Sequence, residues 1–289
     1  ILRALPDGEV TLTLQDKRLQ VKSGKSRFTL QTLPAEDFPR LARPSGDISR
    51  FALSQKSLRK LLALVQYSMA QQDIRYYLNG LLLIVEEKQL KLVATDGHRL
   101  AYCSMQLEAD LPRQEVIVPR KTVLELSKLL SDSEEPVNIE ISATQAAFSF
   151  GNVDLISKLV DGKFPDYTRV IPKDHPNHMI VDREALRQSL SRAAILSNEK
   201  FRGVRWVLTE NSLKIVSSNA EQEEAQEELE VKYSGAALDI GFNVTYLLDV
   251  LNNVAGGEIE ASFGDSASSA LIHFPAEKDF KYVVMPMRI

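Results

Sequence analysis

Asp96 and His98 flank Gly97, and a carboxylate beside an imidazole could serve a hydrolase or hold a metal ion. The rest of such machinery is missing. The sequence contains no G-x-S-x-G elbow, no H-E-x-x-H pair and no Walker A string. His175, His178 and His273 show no ligand pattern with cysteine or carboxylates. Gly97 after Asp96 reads more simply as a turn between strands. Cys103 is the only cysteine; it reads as a small buried hydrophobe, rules out an intrachain disulfide and fits a reducing compartment. The expectation is a protein with no catalytic residues, no metal and no cofactor.

Chemistry that holds rather than converts is better represented. Lys56, Arg59 and Lys60 stand opposite an apolar stripe of Leu58, Leu61, Leu62, Val65 and Met69, the spacing of one amphipathic helix with Ser54 as N-cap. A second helix, capped by Asp182, sets Arg183, Arg187 and Arg192 opposite Leu186, Leu190, Ala193 and Ala194. Arg120, Lys121 and Lys128 lie on a third. A solvated helix face is the ordinary reading of any one such residue. Its recurrence on equivalent helices points to phosphate contacts independent of sequence. The net charge of -4 over 289 residues excludes a uniformly basic nucleic-acid binder, but not one that segregates its charges. The acidic run Glu221 to Glu230 reads as a solvated strand or loop that accounts for part of the negative total.

The elements that position these residues repeat. Leu90-Lys91-Leu92-Val93-Ala94-Thr95-Asp96 aligns with Leu213-Lys214-Ile215-Val216-Ser217-Ser218-Asn219, and Phe38-Pro39 recurs as Phe164-Pro165 126 residues on. Each full copy contains the capped helix, alternating strands, a second helix (Arg120 to Leu130; Asn243 to Leu251) and further strands (Val137 to Ile141; Glu258 to Ser262). The predicted class is α+β, with two helices packed on antiparallel sheet in each module. Three modules are expected: 1–47, the back part of a first copy, then 48–172 and 173–289. Proline- and glycine-containing linkers run near Leu41 to Ser49 and Ile171 to Asn177. Copies of equal length imply that roughly 80 residues of the first module precede Ile1. No apolar run approaches the roughly 20 residues of a membrane-spanning helix.

Several strings are specific enough to name a family. They are Arg75-Tyr76-Tyr77-Leu78-Asn79-Gly80, Ala94 to Leu100 (ATDGHRL), Ser157 to Tyr167 (SKLVDGKFPDY), Ser197 to Val204 (SNEKFRGV), Gly241 to Val244 (GFNV) and Tyr282 to Ile289 (YVVMPMRI). In this order, across the whole chain, they resemble the bacterial DNA polymerase III beta subunits, the beta sliding clamps.

The resemblance implies a DNA clamp fold. A head-to-tail homodimer forms a ring of six modules, with helices lining the hole and sheets outside. Implied function is that of a processivity factor that encircles duplex DNA and tethers the replicative polymerase. The alternative is a peptide-binding module that does not close a ring. A hydrophobic groove between the second and third modules is implied at Leu78, Thr95, Gly97, His98, Arg99, Leu100, Pro165, Arg169, Val170, Asn243, Tyr246, Val283, Met285, Pro286, Met287 and Arg288. Its implied partners are the DNA polymerase III alpha subunit, the clamp loader delta subunit, and other polymerases and repair proteins bearing short Gln- and Leu-containing motifs. Expected DNA-facing residues are Arg59, Lys60, Arg75, Tyr76, Tyr77, Arg120, Lys121, Arg183 and Arg187. Expected dimer contacts are Phe28 and Leu30 on one subunit and Ile195 and Leu196 on the other. The implied location is the bacterial cytoplasm, at the nucleoid.

Overall fold

A computed structural model describes residues 1–289. It divides into two compact units, 1–42 and 43–289. The first is a meander of β1 (Thr11–Gln15), β2 (Arg18–Ser23) and β3 (Ser26–Gln31), with Phe28 opposite Val21 and Leu30 opposite Leu19. Both outer strands of this sheet are edges. Leu30 is exposed on β3 and Phe28 half-buried.

The second unit begins with β4 (Ser49–Ser54), α1 (Gln55–Val65), β5 (Gly80–Thr95), β6 (Arg99–Pro119), α2 (Arg120–Leu129), β7 (Pro136–Ile141), β8 (Gln145–Phe150) and β9 (Val153–Lys158). It continues with β10 (Asn177–Asp182), α3 (Arg183–Ala193), β11 (Gly203–Thr209), β12 (Ser212–Ser218), β13 (Glu224–Glu230) and β14 (Lys232–Tyr233). Then come β15 (Leu238–Asn243), α4 (Val244–Asn253), β16 (Glu258–Phe263), β17 (Ala270–His273) and β18 (Phe280–Val284). The α+β class and the order of elements are those expected.

The caps explain where the helices start. Ser54 Oγ accepts from the Ser57 amide at 3.2 Å, Asp182 Oδ1 from the Ala185 amide at 2.7 Å, and Asn243 Oδ1 from the Thr245 amide at 2.9 Å. The stripe of α1 is buried as predicted at Leu58, Leu61, Leu62 and Val65. Met69 is buried too, but not as a helix residue. The chain tightens into a 3-10 turn over Gln66–Ser68 and leaves it extended at Met69, whose carbonyl takes a 3.1 Å bond from Arg120.

Two four-stranded antiparallel sheets, β4-β7-β8-β9 and β13-β12-β11-β15, are separate from a seven-stranded sheet of order β14-β10-β16-β17-β18-β6-β5. In the larger sheet β18 joins β6 directly, Phe280 opposite Cys103 and Val284 opposite Arg99. The two repeats are therefore sewn together by a main-chain ladder. Local periodicity had given no sign of this pairing. A large core runs through both repeats, and a second, smaller cluster gathers Leu78, Leu82, Leu100, Phe164 and Val283 on the other side of the sheet. Cys103 is buried as expected, and burial pushes its thiol pKa up. No helix is long and apolar enough to cross a membrane.

Candidate peptide groove at the junction of the repeats

The turn between β5 and β6 is built by its own side chains. Asp96 Oδ1 accepts from the amides of His98 (2.9 Å) and Arg99 (3.1 Å), and Thr95 Oγ1 accepts from the Gly97 amide (3.1 Å). Gly97 sits at φ +89°, where a side chain would be strained and would press on the Arg75 guanidinium. The Asp96 carboxylate is thus spent on the turn and on Arg99.

Arg99 is the electrostatic centre of the junction. It is 9% exposed, and its guanidinium donates to Asp96 Oδ2 (3.2 Å), to Asp249 Oδ2 on α4 (2.5 Å) and to the Tyr67 carbonyl (2.7 Å). It also lies 4.4 Å from the centre of the Tyr246 ring, and His98 stacks on the same ring at 6.4 Å. Burial disfavours the charge, yet Tyr282 and Asp249 beside it raise the pKa above the ordinary arginine value.

Above this network opens a cavity of about 370 Å³. Leu78, Leu100, Phe164 and Val283 form a floor that is almost wholly buried. Thr95, Gly97, His98 and Arg99 make one wall, and Pro165, Tyr167, Arg169 and Val170 the other. Met285 and Ser269 complete the lining. Val170 and Met285 are exposed apolar side chains, 43% and 45% accessible, at the rim of an apolar floor. This is the form of a site for hydrophobic anchors. A second cavity, about 430 Å³, lies between α1 and the segment Ala276–Phe280. Its mouth carries the Lys60–Glu277 ion pair (2.7 Å), so it offers charge where the first offers apolar rim.

Most of the expected groove residues converge here. Five do not line the cavity itself. Asn243 caps α4, and Tyr246 lies behind the wall, against Arg99 and His98. Pro286, Met287 and Arg288 run on past Met285, whose amide donates to the His98 carbonyl at 2.9 Å, and Met287 bonds the Gly241 carbonyl at 2.9 Å. Phe164, Tyr167 and Ser269 were missed as site residues. Phe164 and Tyr167 stand in the string SKLVDGKFPDY that carries the resemblance, whereas Ser269 has no local signal.

The basic residues separate into groups. Arg75, expected to face DNA, lines the cavity, where Asp73 (2.7 Å) and the Asp96 carbonyl (3.2 Å) hold it. Tyr76 and Tyr77 stack edge to face on the same short turn, Tyr76 exposed and Tyr77 packed against the small core. Arg183 is tied to the end of α4 by the carbonyls of Leu251 and Gly256, and Arg187 is paired with Glu184. Lys60 is paired with Glu277 and Arg120 with the Met69 carbonyl. Arg59 and Lys121 are exposed and form no ion pair. The acidic run begins in a turn at Glu221 and then forms β13, an edge strand, with Glu227 paired to Arg192. The turn Ala194–Leu196 packs beside it, with Ile195 76% exposed and Leu196 half-buried.

Comparison with known proteins agrees along the full length. Residues 1–42, 52–166 and 168–288 match the N-terminal, central and C-terminal domains of the DNA polymerase III beta subunit. The beta sliding clamps of Salmonella typhimurium and Escherichia coli K12 are 50% and 49% identical, over 100% of this chain and 79% of theirs. The crystal structure of the DNA polymerase III subunit beta from Pseudomonas aeruginosa superposes with a TM-score of 0.93 at 47% identity, over 99% of this chain and 79% of that one. A Pseudomonas aeruginosa clamp bound to griselimycin gives 0.91 at 47% identity, over 99% and 78%. With fold, order of domains and sequence all in agreement, the chain belongs to the beta sliding clamp family, the non-catalytic processivity subunits of DNA polymerase III.

Proposed function

We propose that the cavity at the junction of the repeats captures short extended peptides, and that through it the clamp tethers its partners while encircling duplex DNA. The apolar floor of Leu78, Leu100, Phe164 and Val283, open between exposed Val170 and Met285, is the observation that carries the reading. Such a slot takes Leu and Phe side chains, while His98, Arg75 and Arg169 offer donors at its mouth. Partners of this chemistry are the DNA polymerase III alpha subunit, the clamp loader delta subunit, and other polymerases and repair proteins with a Gln- and Leu-containing motif. One shared slot makes them competitors, each held modestly. A fluorescent peptide of this kind is expected to bind with a Kd on the order of 1 μM. Val170→Glu, at the exposed rim, weakens it by at least about tenfold without shifting the unfolding transition. Equal binding by the two proteins would sink the groove reading.

The modules 1–47, 48–172 and 173–289 are read as three repeats of a six-module ring in a head-to-tail homodimer. Two edge strands suit that closure: β3, with Arg27 beside Phe28 and Leu30, and the glutamate-rich β13 beside Ile195 and Leu196. Arg59 and Lys121 are the freest DNA-facing candidates, with Lys60, Arg120 and Arg187 held by partners they would have to share. The place of work is the bacterial cytoplasm. After loading onto a nicked DNA circle and a high-salt wash, the clamp should stay on the circle and leave when it is linearised. Retention on linear DNA would show direct binding in place of a topological link.

A further inference from the structure

Gly241 lies in β15 opposite Arg205 with an ordinary strand backbone, so its own conformation would admit any residue. The excluding contact comes from elsewhere in the chain. A Cβ at this position would collide with the Met287 carbonyl oxygen and stand 2.7 Å from Cγ1 and Cδ1 of Ile289. On the neighbouring strand, a Cβ on Gly203 would reach the same Ile289 side chain at 3.3 and 3.4 Å. The two glycines leave a notch, and Met287 and Ile289 lie against it. The segment 285–289 is held at one end by the Met285 amide on the His98 carbonyl and further on by the Met287 amide on the Gly241 carbonyl, both at 2.9 Å. Its first residue, Met285, lines the cavity.

We infer that Gly241, assisted by Gly203, is a positioning residue for peptide capture: it seats the segment 285–289 and so holds Met285 in place in the groove lining. The inference rests on the groove reading above. Gly241 itself does not line the cavity. A side chain there lifts Met287 and Ile289 off β15, and Met285, then held only by its bond to the His98 carbonyl, is less firmly fixed, so that ordering it on binding becomes an added cost.

The test measures peptide binding and carboxypeptidase trimming on wild type, Gly241→Ala and a chain ended after Pro286, alone and combined. Gly241→Ala should weaken the peptide by about tenfold, which is about 1.4 kcal/mol, and speed removal of Ile289, with the urea transition unmoved. In the chain ended after Pro286, Met285 remains but the seated residues are gone, and there Gly241→Ala should change nothing. Should Gly241→Ala not fold, Gly203→Ala, with its looser contacts, carries the same comparison with a smaller effect. Unaltered binding by Gly241→Ala, or an equal loss in the shortened chain, overturns the inference. Failure of wild type itself to bind the peptide removes the groove reading and this inference together.

Discussion

Arg99→Met lowers the stability of the joined repeats by about 3 kcal/mol and weakens peptide binding with it. The guanidinium is 9% exposed and serves Asp96, Asp249 and the Tyr67 carbonyl at once. Its removal leaves the Asp96 and Asp249 carboxylates without their shared cation and the Tyr67 carbonyl without its donor. Loss of one member of a buried pair typically costs about 3–5 kcal/mol. The low end applies because the Asp249 side chain is 32% exposed and water relieves part of the loss. Lys60→Met provides the contrast: the Lys60–Glu277 pair also links the repeats, but Lys60 is 58% exposed, so its loss costs less than about 1 kcal/mol. Trp206, the single tryptophan, is 1% exposed and packed on Phe242 at 5.3 Å, so its fluorescence follows unfolding in urea. A midpoint shared by Arg99→Met and wild type would show that Arg99 does not hold the junction together.

Phe164→Ala costs about 3 kcal/mol and enlarges the groove floor. Phe164 is 4% exposed and belongs to the smaller core cluster, where it packs with Leu78, Leu82, Ile84, Leu100 and Ile117. Because the same ring lines the cavity, the cost appears twice, once in the urea midpoint and once as a peptide affinity lowered by about tenfold or more. Phe164→Leu keeps much of the volume and should recover most of both. If Phe164→Ala lowered stability alone, leaving the peptide as tightly bound as before, the ring would belong to the core and not to the groove.

Local features of this structure were legible in the sequence because their causes are local. Ser54 and Asp182 cap the helices they were expected to cap, since a cap needs only its own next three residues. The turn at Gly97 was equally visible. The floor residues Leu78, Leu100 and Val283 came from resemblance, for nothing in their own segments shows that they meet. Arg75 was expected to face DNA through the resemblance alone, and nothing in its own segment shows that it lines the cavity beside Asp73 and the Asp96 carbonyl. Arg183 likewise read as a free cation on a basic face, and only the end of α4 brings it the carbonyls of Leu251 and Gly256. The tie between β18 and β6 was missed for the same reason. A strand's alternation shows that it has a buried face, not which strand it pairs with.

That tie also governs when the groove can exist during synthesis. Phe280 pairs with Cys103 and Val284 with Arg99, partners 177 and 185 positions apart. At about 5–20 residues per second, β6 leaves the ribosome roughly 10–40 seconds before its neighbour does. For that interval one side of β6 offers an open hydrogen-bonding edge, and the floor of the slot lacks Val283. The cavity of a nascent chain therefore stays incomplete until its late residues have been translated, and an abandoned, shortened chain presents an open strand edge in its place.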